Sequence, residues 1–143
     1  MDTKLKADIA EYAVIARLLK LGLKVLRPVG DRLPYDLAVD LDGKLIRLQV
    51  KSAWKQNGAH IVDSRRTKTN RRRMVRSRYQ ESDFDFAIMY IQELDVCYVM
   101  PCKEFNQFKS GISLVEDKTR QRPPKSAAYR EAWHLLSNKL ASK

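Results

Sequence analysis

Asp36, Gln49 and Lys51 carry a carboxylate, a neutral amide oxygen and an ammonium on two short apolar, β-branched runs that flank Asp42-Gly43. An Asp-Gly pair between such runs signals a two-residue hairpin turn with positive φ at both central positions. With 42 and 43 as the loop, Tyr35 faces Val50, Leu37 faces Leu48 and Val39 faces Ile46, so one face is wholly apolar. On the other face Asp36 opposes Gln49, Ala38 opposes Arg47, and Lys51 lies diagonally beyond Asp36 toward Pro34. Opposed Cβ atoms are roughly 4.5–5.5 Å apart, close enough for a carboxylate and an amide oxygen to share one cation. A slip of one residue would set Asp36 against Leu48 or Val50 and scatter both the apolar face and the polar cluster.

A solvated polar face is the ordinary reading of an amphipathic hairpin. Here the polar side is short, mixed in charge and confined to the strand ends near Pro34 and Trp54, which favours a site. Glu11 adds a second acid. Residues 3–21 place Leu5, Ile9, Tyr12, Ala13, Ala16 and Leu19 at the spacing of an amphipathic helix, capped by Asp2 or Thr3 and ended by Gly22. Glu11 falls beside that stripe, on a row with Ile15 and Leu18, where it could equally be a surface acid paired with a lysine. Once the helix covers the sheet, Glu11 is carried toward Asp36.

Two acids, one neutral oxygen donor and one ammonium are suited to a hard cation such as Mg2+. An ion there could bind a scissile phosphate and acidify an attacking water. Lys51 could orient that water or offset charge in the transition state.

The bulk composition points the same way. The chain has 143 residues with 28 Lys and Arg against 17 Asp and Glu, a net charge of +11 and a pI near 9.8, which suits a polyanionic partner. Much of that charge lies between Ser64 and Tyr79, where Arg65, Arg66, Lys68, Arg71, Arg72, Arg73, Arg76 and Arg78 occur without an acid. Interleaved Ser, Thr and Asn70 add hydrogen-bonding groups for phosphate oxygens. Unless an anion compensates them, so many cations repel one another, and this segment is expected to contact nucleic acid.

Length and composition are those of one globular domain, 1–143. Two cysteines, Cys97 and Cys102, and two isolated histidines, His60 and His134, make neither a zinc set nor a disulfide framework. No apolar run is long enough to span a membrane, and the N-terminus lacks a signal-peptide core, so an intracellular, cytoplasmic location is expected.

Further along, Lys24–Pro28 reads as a short strand, residues 53–60 as irregular and His60–Asp63 as another short strand. Residues 84–91 and 96–100 read as a buried hairpin, residues 101–108 as a short helix and 111–115 as a strand. Ser126 is placed to cap a last helix carrying Tyr129, Trp133, Leu136 and Leu140. The order α-β-β-β, basic loop, β-β, α gives an α/β (α+β) fold, a mixed β-sheet core flanked by helices.

Pro34-Tyr35-Asp36, with Gln49-Val50-Lys51 beginning thirteen positions after the acid and a helical Glu11 upstream, resembles the signature of the PD-(D/E)xK nuclease superfamily. The resemblance implies a restriction-endonuclease-like core with Glu11, Asp36, Gln49 and Lys51 as the catalytic set, and Glu11, Asp36, Gln49 and Val50 as ligands of Mg2+. Gln49 departs from the usual second acid and removes one negative charge. The Gln-x-Lys variant in a small basic chain is similar to that of intron-encoded homing endonucleases of cyanobacterial group I introns, whereas archaeal Holliday-junction resolvases of this fold normally keep the acid.

Three functions follow. The first is a Mg2+-dependent homing-type endonuclease cutting both strands of a long, specific duplex target. Singling out one site among ~10⁶ competitors takes roughly 10 or more base pairs. A compact reading element covers about 3–4, so a homo-oligomer, dimer or tetramer, is expected. The second is a Holliday-junction resolvase using the same site. The third is a catalytically inactive nucleic-acid-binding protein, to which Gln49 points.

Overall fold

The computed structural model describes residues 2–69, 74–116 and 121–141. Asp42 and Gly43 both take positive φ, 52° and 85°, and join β2 (Leu37–Leu41) to β3 (Lys44–Ser52). These strands pair antiparallel in the expected register, Leu37 with Leu48, Ala38 with Arg47 and Val39 with Ile46. β1 (Lys24–Leu26) flanks β2 antiparallel, and β3 lies parallel to β8 (Phe86–Ile91), itself antiparallel to β9 (Val96–Pro101). The result is a five-stranded mixed sheet of order β1-β2-β3-β8-β9.

Helix α1 (Thr3–Lys20) is capped by the Asp2 carboxylate, which accepts from Lys4 N at 3.0 Å. It ends where Gly22, at φ 79°, donates to Leu19 O and Leu23 donates to Leu18 O, a Schellman arrangement that needs the left-handed residue. The helix lies over the sheet on a different ridge from the expected one. Ala10, Val14 and Leu18 are buried against Val39, Ile46, Leu48 and Ile88, while Leu5, Tyr12 and Leu19 are exposed. Both ridges satisfy the helical period, so spacing alone does not choose between them. The turn of the helix brings the Glu11 row toward the sheet.

The opposite face of the sheet is covered by a second layer. Residues 53–60, expected to be irregular, contain β4 (Trp54–Gln56) and the start of β5 (Ala59–Asp63), joined by Asn57-Gly58 with φ 50° and 81°. β10 (Gly111–Leu114) completes a three-stranded sheet of order β10-β5-β4. Val62, Ile112 and Leu114 pack there with Ala87, Met89, Tyr98 and the Phe84, Phe105 and Tyr79 rings. Every residue of β8 is consequently buried, as its unbroken apolar run requires.

The basic stretch is not a loop throughout. β6 (Arg66–Thr69) and β7 (Met74–Ser77) pair antiparallel as a separate two-stranded hairpin whose connecting residues lie outside the described ones. Helix α2 is shorter than expected, Cys102–Phe105. The expected continuous helix from Ser126 is also broken, into a 3₁₀ turn (Lys125–Tyr129) and α3 (His134–Ala141). The cause is Glu131, at φ 48°, whose carboxylate accepts from Cys97 N, Trp133 Nε1 and Arg17 Nη1. Those long-range bonds outweigh the local preference to continue the helix. Among the described residues no helix is long and apolar enough to cross a membrane.

Candidate active site

Asp36 immediately precedes β2. Its N–H donates to Leu48 O at 2.9 Å, and its carboxylate Oδ2 accepts from Val50 N at 2.8 Å, so main chain and side chain are both tied to β3 beside Gln49 and Lys51. The β2–β3 pairing ends at Leu37 with Leu48, so Asp36 lies one position beyond the ladder and is held by its bonds to Leu48 O and Val50 N, on either side of Gln49. Glu11 reaches the same region from α1. Together with Arg27, Asp31 and Tyr35, the two acids line a cavity of about 230 Å³.

Burial pushes the Asp36 carboxyl up to about 6, and the neighbouring Glu11 charge adds to that push. The Val50 N–H and the Lys51 and Arg27 charges pull the other way without prevailing. Glu11 is bound by Arg27, whose Nη2 donates to Oε1 at 2.7 Å; the same guanidinium donates to Tyr12 OH and lies over that ring. Arg27 was not among the expected site residues, and its place just before Pro28 carries no sequence signal.

Lys51 extends from β3 into a largely desolvated position. Its Nζ donates to Arg65 O at 3.0 Å and sits 5.0 Å from the centroid of the Tyr79 ring. Burial lowers its pKa, opposed by the charges of Asp63 and Asp36. Asp63 is likewise pushed up by burial, but its bonds to the Arg65 side chain and N–H win and hold it below the usual carboxylate range. Asp63 and Tyr79 are therefore neighbours of the lysine that the sequence did not single out: one ends a short strand and the other ends the basic segment.

Glu11 and Asp36 are brought to one cavity, and Gln49 and Lys51 are on the adjoining strand. The basic residues divide. Arg65 is paired with Asp63 at 3.0 Å, and Arg78 donates to Asn106 O at 3.0 Å. Arg66 and Lys68 lie on β6 and Arg76 on β7. Asn70, Arg71, Arg72 and Arg73 lie outside the described residues.

Among the described residues no group of three or more His, Cys, Asp or Glu side chains could hold a metal ion unaided. Two carboxylates lining one cavity, Glu11 and Asp36, fit a hard cation that keeps most of its water shell, as Mg2+ does. A cation would also favour ionised Asp36, which its surroundings otherwise disfavour.

Residues 1–136 match the family described as PD-(D/E)XK endonuclease, and the chain belongs to that family. It is a deoxyribonuclease by class, with the restriction-endonuclease-like core expected from Asp36 and Lys51. Among solved structures, the bacterial homing endonuclease I-Ssp6803I is 52% identical to it, with a TM-score of 0.90 over 100% of this chain and 98% of that one. A search of curated protein sequences gives no match.

Proposed function

We propose that this enzyme is a site-specific endonuclease of the homing type, hydrolysing both strands of a long, specific DNA target with Mg2+ held by Glu11, Asp36, Gln49 and Val50. The observation that carries the reading is the shared cavity: Asp36, raised to about 6, faces the same space as Glu11 and is bonded to the strand bearing Lys51. The chemistry that Mg2+ supplies when bound is polarisation of the scissile phosphate and acidification of the attacking water. Glu11 and Asp36 provide the negative charge that attracts the ion, and Gln49 adds oxygen without charge. Lys51 donates an N–H toward the reacting phosphate or water and balances charge that builds in the transition state. The likeness to I-Ssp6803I over the full chain supports the homing type.

Residues 64–79 grip DNA within this one catalytic domain, 1–143. Replacing Arg71, Arg72 and Arg73 together with alanine is expected to weaken binding and to flatten the dependence of log K on log salt by roughly 0.9 for each phosphate that is no longer neutralised. Affinity measured from low to moderate salt checks this, and an unchanged slope would place the phosphate contacts elsewhere. A long target exceeds the roughly 3–4 base pairs that one compact reading element covers, which supports a homo-oligomer as the working form. Leu5, Tyr12 and Leu19, exposed at 51%, 58% and 57% along one side of α1, offer an apolar seam for a second copy. The enzyme is expected to act on the nucleoid in a bacterial cytoplasm.

The test is digestion of a genomic DNA library with Mg2+, the ends mapped by sequencing. Sharp cuts on both strands at one long sequence support the homing reading. Cleavage confined to four-way junctions would replace it with junction resolution.

A further inference from the structure

The hairpin of β6 and β7 has two feet, Arg65 before β6 and Tyr79 shortly after β7. Both feet touch the same ammonium. Lys51 Nζ donates to the Arg65 carbonyl at 3.0 Å and packs over the Tyr79 ring at 5.0 Å from its centroid. Each foot is itself anchored. Arg65 N donates to Asp63 Oδ1 at 2.9 Å, and its guanidinium binds the same carboxylate. The Tyr79 carbonyl accepts from Asn106 Nδ2 at 2.9 Å, and its ring meets Phe84 edge-on, with centroids 5.0 Å apart.

Lys51, by contrast, belongs to the central sheet, paired with Met89 of β8. The base of the proposed DNA-gripping hairpin and the reacting strand therefore meet at one side chain. A lysine on a flexible stem loses much rotamer freedom when fixed, and a desolvated ammonium needs partners to replace water. The carbonyl and the ring face supply both, and the ammonium keeps N–H donors for a phosphate oxygen or a water.

We propose that Tyr79, acting with the Arg65 carbonyl, is a positioning residue for Lys51, and that through this clasp the seating of the hairpin on DNA sets the rate of phosphodiester hydrolysis. The proposal rests on the function proposed for this enzyme, in which residues 64–79 contact DNA and Lys51 acts at the scissile phosphate. A tyrosine that merely filled the core would affect folding and nothing specific to Lys51.

The experiment uses a duplex containing a cleavage site mapped in the genomic digest. Single-turnover cleavage is measured at saturating protein with Mg2+, and affinity is measured separately with Ca2+ in its place. Tyr79→Leu is expected to slow cleavage roughly tenfold with affinity almost unchanged, and Tyr79→Phe, which restores the ring face, to recover most of the rate. Because Tyr79 also packs in the core, Asn106→Ala serves as a second variant that frees the Tyr79 carbonyl without removing a charge near Lys51, and the same split between rate and affinity is expected. In NMR spectra the Lys51 side-chain methylenes should show an upfield ring-current shift in the wild type and in Tyr79→Phe that is abolished in Tyr79→Leu. Folded Tyr79→Leu cutting at the wild-type rate, a slowing explained wholly by weaker DNA binding, or an unmoved Lys51 resonance would each overturn the clasp. If the wild type cuts no DNA, the functional reading fails, and the Lys51 resonance still decides whether the ring holds the ammonium.

Discussion

Asp36→Asn is expected to lower cleavage by roughly 10³-fold or more, because the metal site proposed for Glu11 and Asp36 loses one of its two carboxylates. At pH 8 the same change is expected to stabilise the protein. The folded-state carboxyl titrates near 6, well above its ordinary value of 3.8, so the folded protein holds a proton that the unfolded chain gives up between those values. Stability from this group is fully present below the lower value and declines as pH rises, until above about 6 the whole cost of a buried carboxylate is in place. A rise of about two pH units corresponds to roughly 3 kcal/mol. Asparagine preserves an oxygen for the Val50 N–H without that cost. Thermal unfolding at pH 8 should therefore show the variant several degrees more stable than the wild type, with the gap closing by pH 4. Mg2+ should narrow the gap at pH 8 by binding the wild type alone. A variant less stable than the wild type at pH 8 would show that Asp36 serves the fold and not the ion.

Lys51→Ala should reduce the single-turnover rate by about 10²–10⁴ while leaving DNA affinity nearly unchanged. On the proposed function the two effects separate, because the grip is assigned to residues 64–79 and the ammonium to the reacting phosphate. Burial lowers the Lys51 pKa, so the charged form is held at a cost that disappears with the side chain. Lys51→Met, which keeps the apolar stem, should accordingly be as inactive as the alanine variant and no less stable than the wild type at neutral pH. Cleavage kinetics and denaturation on the two variants check both halves. Wild-type cleavage by either variant would remove Lys51 from the mechanism.

Sequence periodicity and turn chemistry revealed the part of the site that depends on local geometry. Asp42-Gly43 dictates a left-handed two-residue turn, that turn dictates the register as far as Leu37 with Leu48, and Asp36 follows directly, bonded to Leu48 O and Val50 N on either side of Gln49. Glu11 was legible as an acid at the margin of a helix stripe, although the buried ridge proved to be Ala10, Val14 and Leu18. Two helical ridges with the same period cannot be ranked until the sheet that receives them is known. Asn57-Gly58 carried the same kind of signal as Asp42-Gly43 but was obscured by short flanking runs containing Lys55 and His60. Arg27, Asp63 and Tyr79 were not legible as site residues, since each arrives through a partner distant in sequence. The break at Glu131 is of the same origin: its carboxylate is claimed by Arg17 and the Cys97 main chain.

The parallel pairing of β3 with β8 means that residues 53–85 form an excursion from one sheet position to its neighbour. Each end is stitched across to the neighbouring strand: Ala53, leaving β3, donates its N–H to Tyr90 O of β8, and Asp85, entering β8, donates its N–H to Arg47 O of β3, each at 2.9 Å. With both ends held by those stitches, the pairing of β3 with β8 does not depend on the length of the excursion. Such an enzyme resembles a tool with an exchangeable head. On the proposed function, the excursion is the part that a lineage could vary to retarget the enzyme, provided the contacts of Arg65 and Tyr79 with Lys51 are kept.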